Sequence, residues 1–289
     1  MESANGLGYL VAQQLIAAGE TVFDVPPVLA SRVRVLGSGR SQKNDPNDAR
    51  SVAIAALRSD RLAQVRPDDH IRVLRMLATR HRDMARLRNK HCTRLHALLM
   101  ELEPGGIGSE ITVNKANQLL SRIIVDGEVT RHRVVIAGEL VEDVARLDIA
   151  LKASKKRIKA AVAASGTTLT DIVGIGPICA AIIIGFTGDV TRFPTKAHFA
   201  TYNATAPIEA SSGDRPRHRL NPRGNRKLNH AIHIAAICQL RYPSEGRTSY
   251  DRKTTEGKTS KEAIRALKRR ISDRVYRHLI ADANKTAIA

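Results

Sequence analysis

Residues 202–237 read YNATAPIEASSGDRPRHRLNPRGNRKLNHAIHIAAI and combine a serine turn, a basic loop and a helical pattern. A small turn contains Ser211 and Ser212, and a basic loop broken by Gly and Pro follows it. The next helix has apolar positions at Leu228, Ile232, Ile234 and Ala235. Hydroxyls beside guanidinium groups, ahead of a helix N-terminus, suit the binding and attack of a phosphate. A basic surface loop is the alternative interpretation.

The charge balance of the whole chain points to a polyanionic partner. Its 289 residues include 47 Lys and Arg against 28 Asp and Glu, so the formal net charge is +19. A surplus of this size is typical of nucleic-acid binding. A membrane surface is less favoured, because no basic amphipathic segment has a bulky aromatic face. The length predicts about two domains, and the 43% hydrophobic content is enough for a core.

The cysteines and the apolar runs predict a protein of a reducing cytoplasm. Cys92, Cys179 and Cys238 are widely spaced and odd in number, which fits neither a zinc site nor a disulfide framework. The longest apolar run, residues 172–186, is interrupted by glycine and proline and is too short to span a bilayer. The N-terminus has no signal-peptide pattern.

The first 66 residues predict a helix, one strand and a second helix. Apolar residues recur at helical spacing up to Gly19, and residues 21–25 favour a strand that ends at Pro26-Pro27. A basic loop containing Arg32, Arg34, Arg40 and Lys43 is expected next. Asp45 is then the expected N-cap of a helix, with Asp48 on the same face. These carboxylates suit either a helix start or a metal ion.

Residues 67–165 show two long helical patterns that flank a break at residues 104–106. In the second, a heptad seam runs through Ala137, Leu140, Val144, Leu147, Leu151, Ser154, Ile158 and Ala161. The first keeps the same spacing, with polar interruptions at His81, Arg88 and His91. The pair predicts an antiparallel helical hairpin or a coiled coil with another subunit. The first helix is also rich in arginine, which indicates a solvated face or phosphate contact.

The C-terminal segment, residues 166–289, contains LTDIVGIGPICAA from Leu169 onward. This pattern resembles a helix-hairpin-helix, in which the backbone N–H groups of Gly174 and Gly176 would approach a phosphate. Between Ser211 and Ile280 the chain has 18 Lys and Arg against 6 Asp and Glu, a density that favours a phosphate backbone.

Together these motifs resemble the DEDD-type transposases of bacterial insertion sequences, the family called "IS one-ten". KNDPNDA resembles the family's acidic signature, and DIVGIGPICAA with GDVTRF resembles its helix-hairpin-helix. APIEASSG, RHRLNPRGNRKLNHAIHIAA and GKTSKEAIRALKRRISDRVY resemble its serine domain and tail. The resemblance implies a mainly α protein with a small α/β part: a RuvC-like (RNase H fold) segment over 1–66, a helical hairpin or coiled-coil linker over 67–165, and a C-terminal serine domain over 166–289.

The resemblance also implies roles for individual residues. Glu2, Asp45 and Asp48 would hold a divalent metal ion, Mg²⁺, and Ser212 would be the nucleophile, with Ser211 as its alternative. The positions expected to contact DNA are Gly174, Gly176, Arg217, Arg219, Arg223, Arg226 and Lys227. The family further implies a non-coding guide RNA and a homo-oligomer, a dimer or tetramer, as partners.

One departure from the family pattern gives a second expectation. The family's first acidic residue lies on an opening strand that has no counterpart ahead of Glu2 in this chain. The chain would then be an N-terminally truncated, catalytically impaired DNA- or RNA-binding remnant. A structural RNA-binding protein that shares only the basic charge is a third interpretation, which the ordered motifs disfavour.

Overall fold

The fold was obtained as a computed structural model that describes residues 1–38, 44–59, 62–108, 110–209, 218–219, 221 and 224–288. These residues form two compact units, 1–69 and 70–289. The described part is mainly helical, as predicted. Its helices are α1 (Tyr9–Ala17), α2 (Pro27–Ser38), α3 (Asp45–Leu57), α4 (His70–Leu102), α5 (Val113–Leu120), α6 (Gly127–Ala164), α7 (Pro177–Thr187), α8 (Lys196–Tyr202), α9 (Arg226–Arg241), α10 (Glu245–Thr255) and α11 (Ser260–Ile288). No helix among them is long and apolar enough to cross a membrane.

The first unit is built around a short strand pair. Strand β1 (Phe23–Asp24) pairs antiparallel with β2 (Ala63–Gln64), and Val25 forms a parallel bridge with Glu2. The small core beside them consists of Ala4, Ala12, Val22 and Val65. The predicted strand is therefore present and shorter than 21–25, while β2 was not predicted, because two residues leave no readable alternation.

Two predictions in this unit are wrong in a way that has a clear physical cause. The part of the expected basic loop that contains Arg32 and Arg34 is helix α2, which begins at Pro27, while Arg40 and Lys43 lie outside the described residues. Proline lacks a backbone N–H and has a fixed φ, so it fits the first helical position as well as it stops a strand. The N-cap of α3 is Asn44 and not Asp45, since the Asn44 side chain accepts the backbone N–H of Asn47 at 2.9 Å.

The second unit begins with an antiparallel pair of long helices, α4 and α6. Their apolar seams face each other within the chain, so the two helices form an antiparallel helical hairpin. One hydrophobic cluster near the turn of the hairpin includes Leu95, Leu99, Ala137 and Val141, and α5 packs on it. The open end of the hairpin contributes to the larger C-terminal core.

Each polar interruption in the α4 seam has a partner on α6. The Nδ1 atom of His81 lies 3.2 Å from the hydroxyl of Ser154, and Arg88 makes a two-point contact with the carboxylate of Asp148. Further along, the Nδ1 atom of His91 lies 3.1 Å from Asp143. Because the partners run in opposite directions along the two helices, these pairs fix the register of the hairpin.

The C-terminal core surrounds α7, which is buried along most of its length between α4, α6 and α9. Helix α11 covers α8, α9 and α10 with a buried stripe that includes Leu267, Ile271 and Val275. A pair of two-residue strands follows α8 in the chain, where β3 (Ile208–Glu209) pairs antiparallel with β4 (His218–Arg219). Short 3₁₀ turns at Leu169–Asp171 and Val190–Arg192 precede and follow α7.

Candidate active site

The serine motif lies in the connection between β3 and β4. Ile208 pairs with Arg219 and Glu209 with His218, so the two strands bring together the ends of residues 210–217. The predicted nucleophile Ser212, its alternative Ser211 and the predicted contact Arg217 fall in that connection, outside the described residues, as does Arg223 further on. The described residues on either side of this connection hold the hairpin in place through three asparagines, Asn203, Asn225 and Asn229.

Asn203 anchors the chain on the N-terminal side of this hairpin. It is completely buried, and its amide nitrogen donates to the hydroxyl of Ser272 on α11 at 2.8 Å. Its side-chain oxygen accepts two hydrogen bonds from Thr205, one from the backbone N–H at 3.1 Å and one from the hydroxyl at 2.7 Å. A buried amide with both of its ends satisfied fixes one backbone path, because any other path would leave polar atoms unpaired.

Asn229 ties α9 to the same stretch of chain. Its amide nitrogen donates to the backbone carbonyl oxygens of Asn203 and Ala204, each at 3.0 Å. Its side-chain oxygen accepts a hydrogen bond of 2.7 Å from the ammonium group of Lys268 on α11. Burial lowers the pKa of Lys268, since removal from water disfavours the charged form.

Asn225 closes the C-terminal side of the hairpin. Its side-chain oxygen accepts the backbone N–H groups of Lys227 and Leu228, so it caps α9. The Asn225 backbone N–H donates to the carbonyl of Tyr202 at 2.7 Å, and its side chain reaches the Tyr202 hydroxyl at 3.2 Å. The two chain segments that flank the serine motif are thus fastened to each other and to α11.

Two of the predicted DNA contacts lie in the first turn of α9. Arg226 is exposed, whereas Lys227 is half-buried, with its ammonium nitrogen 4.2 Å from the centre of the Phe186 ring. The pKa of Lys227 is lowered, first by burial and then by the charges of Arg82 and Arg75 on α4. Arg219 belongs to β4. Phosphate contact by Arg219, Arg226 and Lys227 stays a prediction.

The glycine turn before α7 shows two different environments. Gly174 has φ +87°, and a Cβ atom there would lie 2.6 Å from the carbonyl oxygen of Ala235 in α9. Close packing of the turn against α9 therefore explains why residue 174 is a glycine. Gly176 precedes Pro177 at the start of α7 and has open space around its Cα. Phosphate binding by this turn stays a prediction.

The three acidic residues predicted to hold metal lie in the first unit. Asp48 forms an ion pair of 2.7 Å with Arg34 of α2, and Asp45 is exposed on the first turn of α3. Glu2 takes part in the bridge to Val25. In the part of the chain that the structure describes, no three His, Cys, Asp or Glu side chains are grouped closely enough to hold a metal ion.

Sequence reasoning missed Asp24, which organises the turn after Glu2. Its carboxylate accepts the backbone N–H of Ala4 at 2.9 Å and the amide of Asn5 at 3.0 Å. It also missed the bracing role of Asn203, Asn229 and Lys268. The cap at Asn225 had a readable signal, an Asn directly before an apolar-periodic helix. The others depend on contacts between distant segments that no local pattern reveals.

Comparison with known proteins adds to this geometry. Residues 1–104 match the family model of the DEDD transposases of the IS110 type, and residues 166–251 match that described as the transposase IS116/IS110/IS902 family. An IS116 insertion-element protein of Streptomyces clavuligerus, named as uncharacterized, is 25% identical over 91% of this chain and 77% of its own length.

Two further relatives are more similar over shorter segments. An uncharacterized IS110 protein of Streptomyces coelicolor is 40% identical over 36% of this chain, and an uncharacterized IS900 protein of Mycobacterium paratuberculosis is 35% identical over 34%. These matches span about a quarter of each relative, 26% and 25% of its length.

The two ends of this mainly helical, strongly basic chain both match models of insertion-element transposases. The chain belongs to the IS110 family of DEDD transposases. This family uses divalent metal ions in general, and its members act on DNA.

Proposed function

We propose that this chain cleaves and rejoins DNA strands through a serine nucleophile, Ser212. The observation that supports this most is the coincidence of the transposase match over 166–251 with the braced hairpin. Asn203, Asn225 and Asn229 hold the two flanks of the serine loop against helices α9 and α11. A nucleophile needs such a rigid base, because small displacements from the attacking geometry are costly in rate.

The proposed step is an exchange of phosphate esters. The Ser212 oxygen attacks the phosphorus of a DNA phosphodiester, so one P–O bond forms to serine while the bond to a DNA oxygen breaks. The serine hydroxyl loses its proton, and the released DNA oxygen gains one. Because the phosphoserine ester keeps the energy of the original ester, a DNA hydroxyl can reverse the step and rejoin a strand without a high-energy cofactor.

Cations next to the hairpin would stabilise the charge that develops on the phosphate. Arg219, Arg226 and Lys227 lie on β4 and the first turn of α9, and Arg217 and Arg223 are their neighbours in sequence. The N-terminus of α9 adds a favourable helix dipole at the same place. Gly174 and Gly176 would contact the DNA backbone from the turn before α7.

Glu2, Asp45 and Asp48 are proposed to hold Mg²⁺, which would polarise the scissile phosphate when bound. The described residues do not bring these three carboxylates into one group, and Asp48 is engaged with Arg34. These three carboxylates, as the structure describes them, do not fit a three-ligand metal site.

The partners follow from the same proposal. DNA is the substrate, a non-coding guide RNA from the element selects the target by base pairing, and joining two DNA sites requires more than one copy of the chain. The apolar seam of α4 and α6 is buried within the chain, so self-association would use another surface. These reactions would take place at the bacterial nucleoid.

The test is a covalent adduct between protein and DNA. The full chain would be produced in bacteria together with a plasmid carrying the DNA that flanks its gene, including any transcribed non-coding segment. Protein recovered under denaturing conditions should carry a nucleotide ester on Ser212 by mass spectrometry. Ser212→Ala should abolish the adduct, and Ser211→Ala, the matched control, should retain it. An adduct that persists in Ser212→Ala would overturn the assignment.

A further inference from the structure

Arg75 of α4 and Lys227 of α9 meet at one aromatic ring. Phe186 near the end of α7 is almost entirely buried, yet two cations lie over its ring. The Lys227 nitrogen is 4.2 Å from the ring centre, and the Arg75 guanidinium carbon is 5.2 Å away. A ring face attracts cations because of its quadrupole. Phe186 therefore holds two positive groups, from helices far apart in the sequence, in fixed positions.

Two further guanidinium groups extend this cluster along α4. Arg82 follows Arg75 by seven residues and Arg86 follows Arg82 by four, so all three lie on one face of the helix. The charges of all three act on Lys227 and add to the burial that lowers its pKa. We call Arg75, Arg82, Arg86 and Lys227 the four-cation patch.

The positive charges of the four-cation patch are only partly balanced by nearby carboxylates. One carboxylate, Asp83, acts on Lys227 in the opposite direction. Within the described residues, the Nε atom of Arg82 is buried and has no hydrogen-bond partner. A compact group of like charges destabilises the fold unless an anion binds to it. Arg75 and Arg86 are exposed, so an anion can reach them.

We propose that the four-cation patch binds the phosphate backbone of duplex DNA, so that α4 contacts the substrate directly. This inference rests on the proposed function and extends it from the serine hairpin to the first helix of the hairpin pair. Arg82 and Arg86 are one helical turn apart, which matches a row of adjacent phosphates better than a single small anion. The patch contains no bulky exposed aromatic group for stacking bases, and therefore a duplex backbone fits better than a single strand.

The inference is tested by the salt dependence of DNA binding. The full chain, Arg82→Gln/Arg86→Gln and the control Lys156→Gln/Lys159→Gln would be titrated against a fluorescent 30-base-pair duplex at several salt concentrations. The control removes the same charge from exposed positions on α6. Each lost phosphate contact lowers the slope of log affinity against log salt by about 0.9, so the patch variant should lose about 2. The control should lose less than about 0.5 on the same scale.

The outcomes separate the two proposals. An unchanged slope in Arg82→Gln/Arg86→Gln, while the unaltered chain binds DNA, would refute the patch and leave the serine mechanism standing. An equal loss in the control would refute it too, because bulk charge would then explain the effect. A duplex RNA of the same length gives the second arm, and a loss confined to RNA also counts against the proposal. Thermal unfolding of each variant checks that folding is intact.

Discussion

The ammonium group of Lys268 on α11 donates a 2.7 Å hydrogen bond to the side-chain oxygen of Asn229 on α9. Through the other end of that amide, the same contact reaches the backbone carbonyls of Asn203 and Ala204. A lysine near the end of the chain is thus connected to the start of the serine hairpin. This connection gives the hairpin a fixed base that does not depend on its own short strands.

Asn229→Ala is expected to destabilise the second unit, because two carbonyls lose their donor and a half-buried ammonium loses its acceptor. Leaving such groups unpaired costs about 1–3 kcal/mol. Urea unfolding followed by circular dichroism measures the change. Asn89→Ala, at an exposed position in the middle of α4, is the control and should shift the unfolding free energy by less than about 0.5 kcal/mol. Equal unfolding free energies for the two variants would show that the side-chain hydrogen bonds of Asn229 do not stabilise the second unit.

Gly174→Ala is expected to be strongly destabilising, since the position combines φ +87° with a Cβ atom 2.6 Å from the Ala235 carbonyl oxygen. The unfavourable backbone alone costs about 1–3 kcal/mol, and the clash adds to it. Gly176→Ala provides the matched control, because it has open space and an ordinary φ of −81°. Thermal melting of both variants decides the matter. A Gly174→Ala variant as stable as Gly176→Ala would contradict the explanation by close packing against α9.

The Arg88–Asp148 pair should contribute more than a fully exposed ion pair. Its side chains are 21% and 42% exposed, against 63% and 71% for Arg131–Glu128. Double-mutant cycles with alanine should give a coupling free energy of about 1 kcal/mol for Arg88–Asp148. The same measurement should give about 0.3 kcal/mol for Arg131–Glu128. High salt should weaken the second coupling more than the first. The reverse order of the two couplings would contradict the structure.

Asn44→Ala should weaken α3 by about 1 kcal/mol through loss of its N-cap. Asp45→Asn should leave the stability of the first unit nearly unchanged, because its carboxylate does not cap the helix. Hydrogen exchange of the α3 amides reports on both variants. If Asp45→Asn instead abolished recombination without a change in exchange, the metal role proposed for this carboxylate would gain direct support. Faster exchange in Asp45→Asn than in Asn44→Ala would contradict the observed cap.

Acidification should destabilise the helical hairpin through His81. Its pKa is lowered from an ordinary value of 6.5, first by burial and then by the charge of Lys155. The unfolded chain therefore binds more protons, so stability falls as the pH drops through about 6.5 and levels off below the folded pKa. His81→Gln should flatten this fall between about pH 7 and pH 5. The control His132→Gln, at an exposed position of α6, should leave this fall in stability unchanged. Identical pH profiles for the two variants would contradict the prediction.

Sequence patterns predicted the long helices well because a heptad seam is a local property. Periodicity located α4 and α6, and it placed Ser154 and His81 on the facing sides. It did not decide between a partner in the same chain and one in another subunit. That choice depends on α5 and the chain between the helices, which hold α4 and α6 together through a shared apolar cluster.

The candidate site was less predictable, for two physical reasons. Asn44 and Asp45 are both good N-caps, and the extended backbone of Asn44 decides between them. The brace between Asn229 and Lys268 joins residues 39 positions apart, and no local pattern marks such a pair. Polar residues on a basic helix look like solvated positions until the fold shows which of them are half-buried.

Helix α4 runs without interruption for 33 residues, or about 50 Å at 1.5 Å per residue. One of its ends packs with α5 and the other bears the arginines beside Lys227. The continuous backbone hydrogen bonding of this one helix sets the spacing between the α5 cluster and the cations beside Lys227.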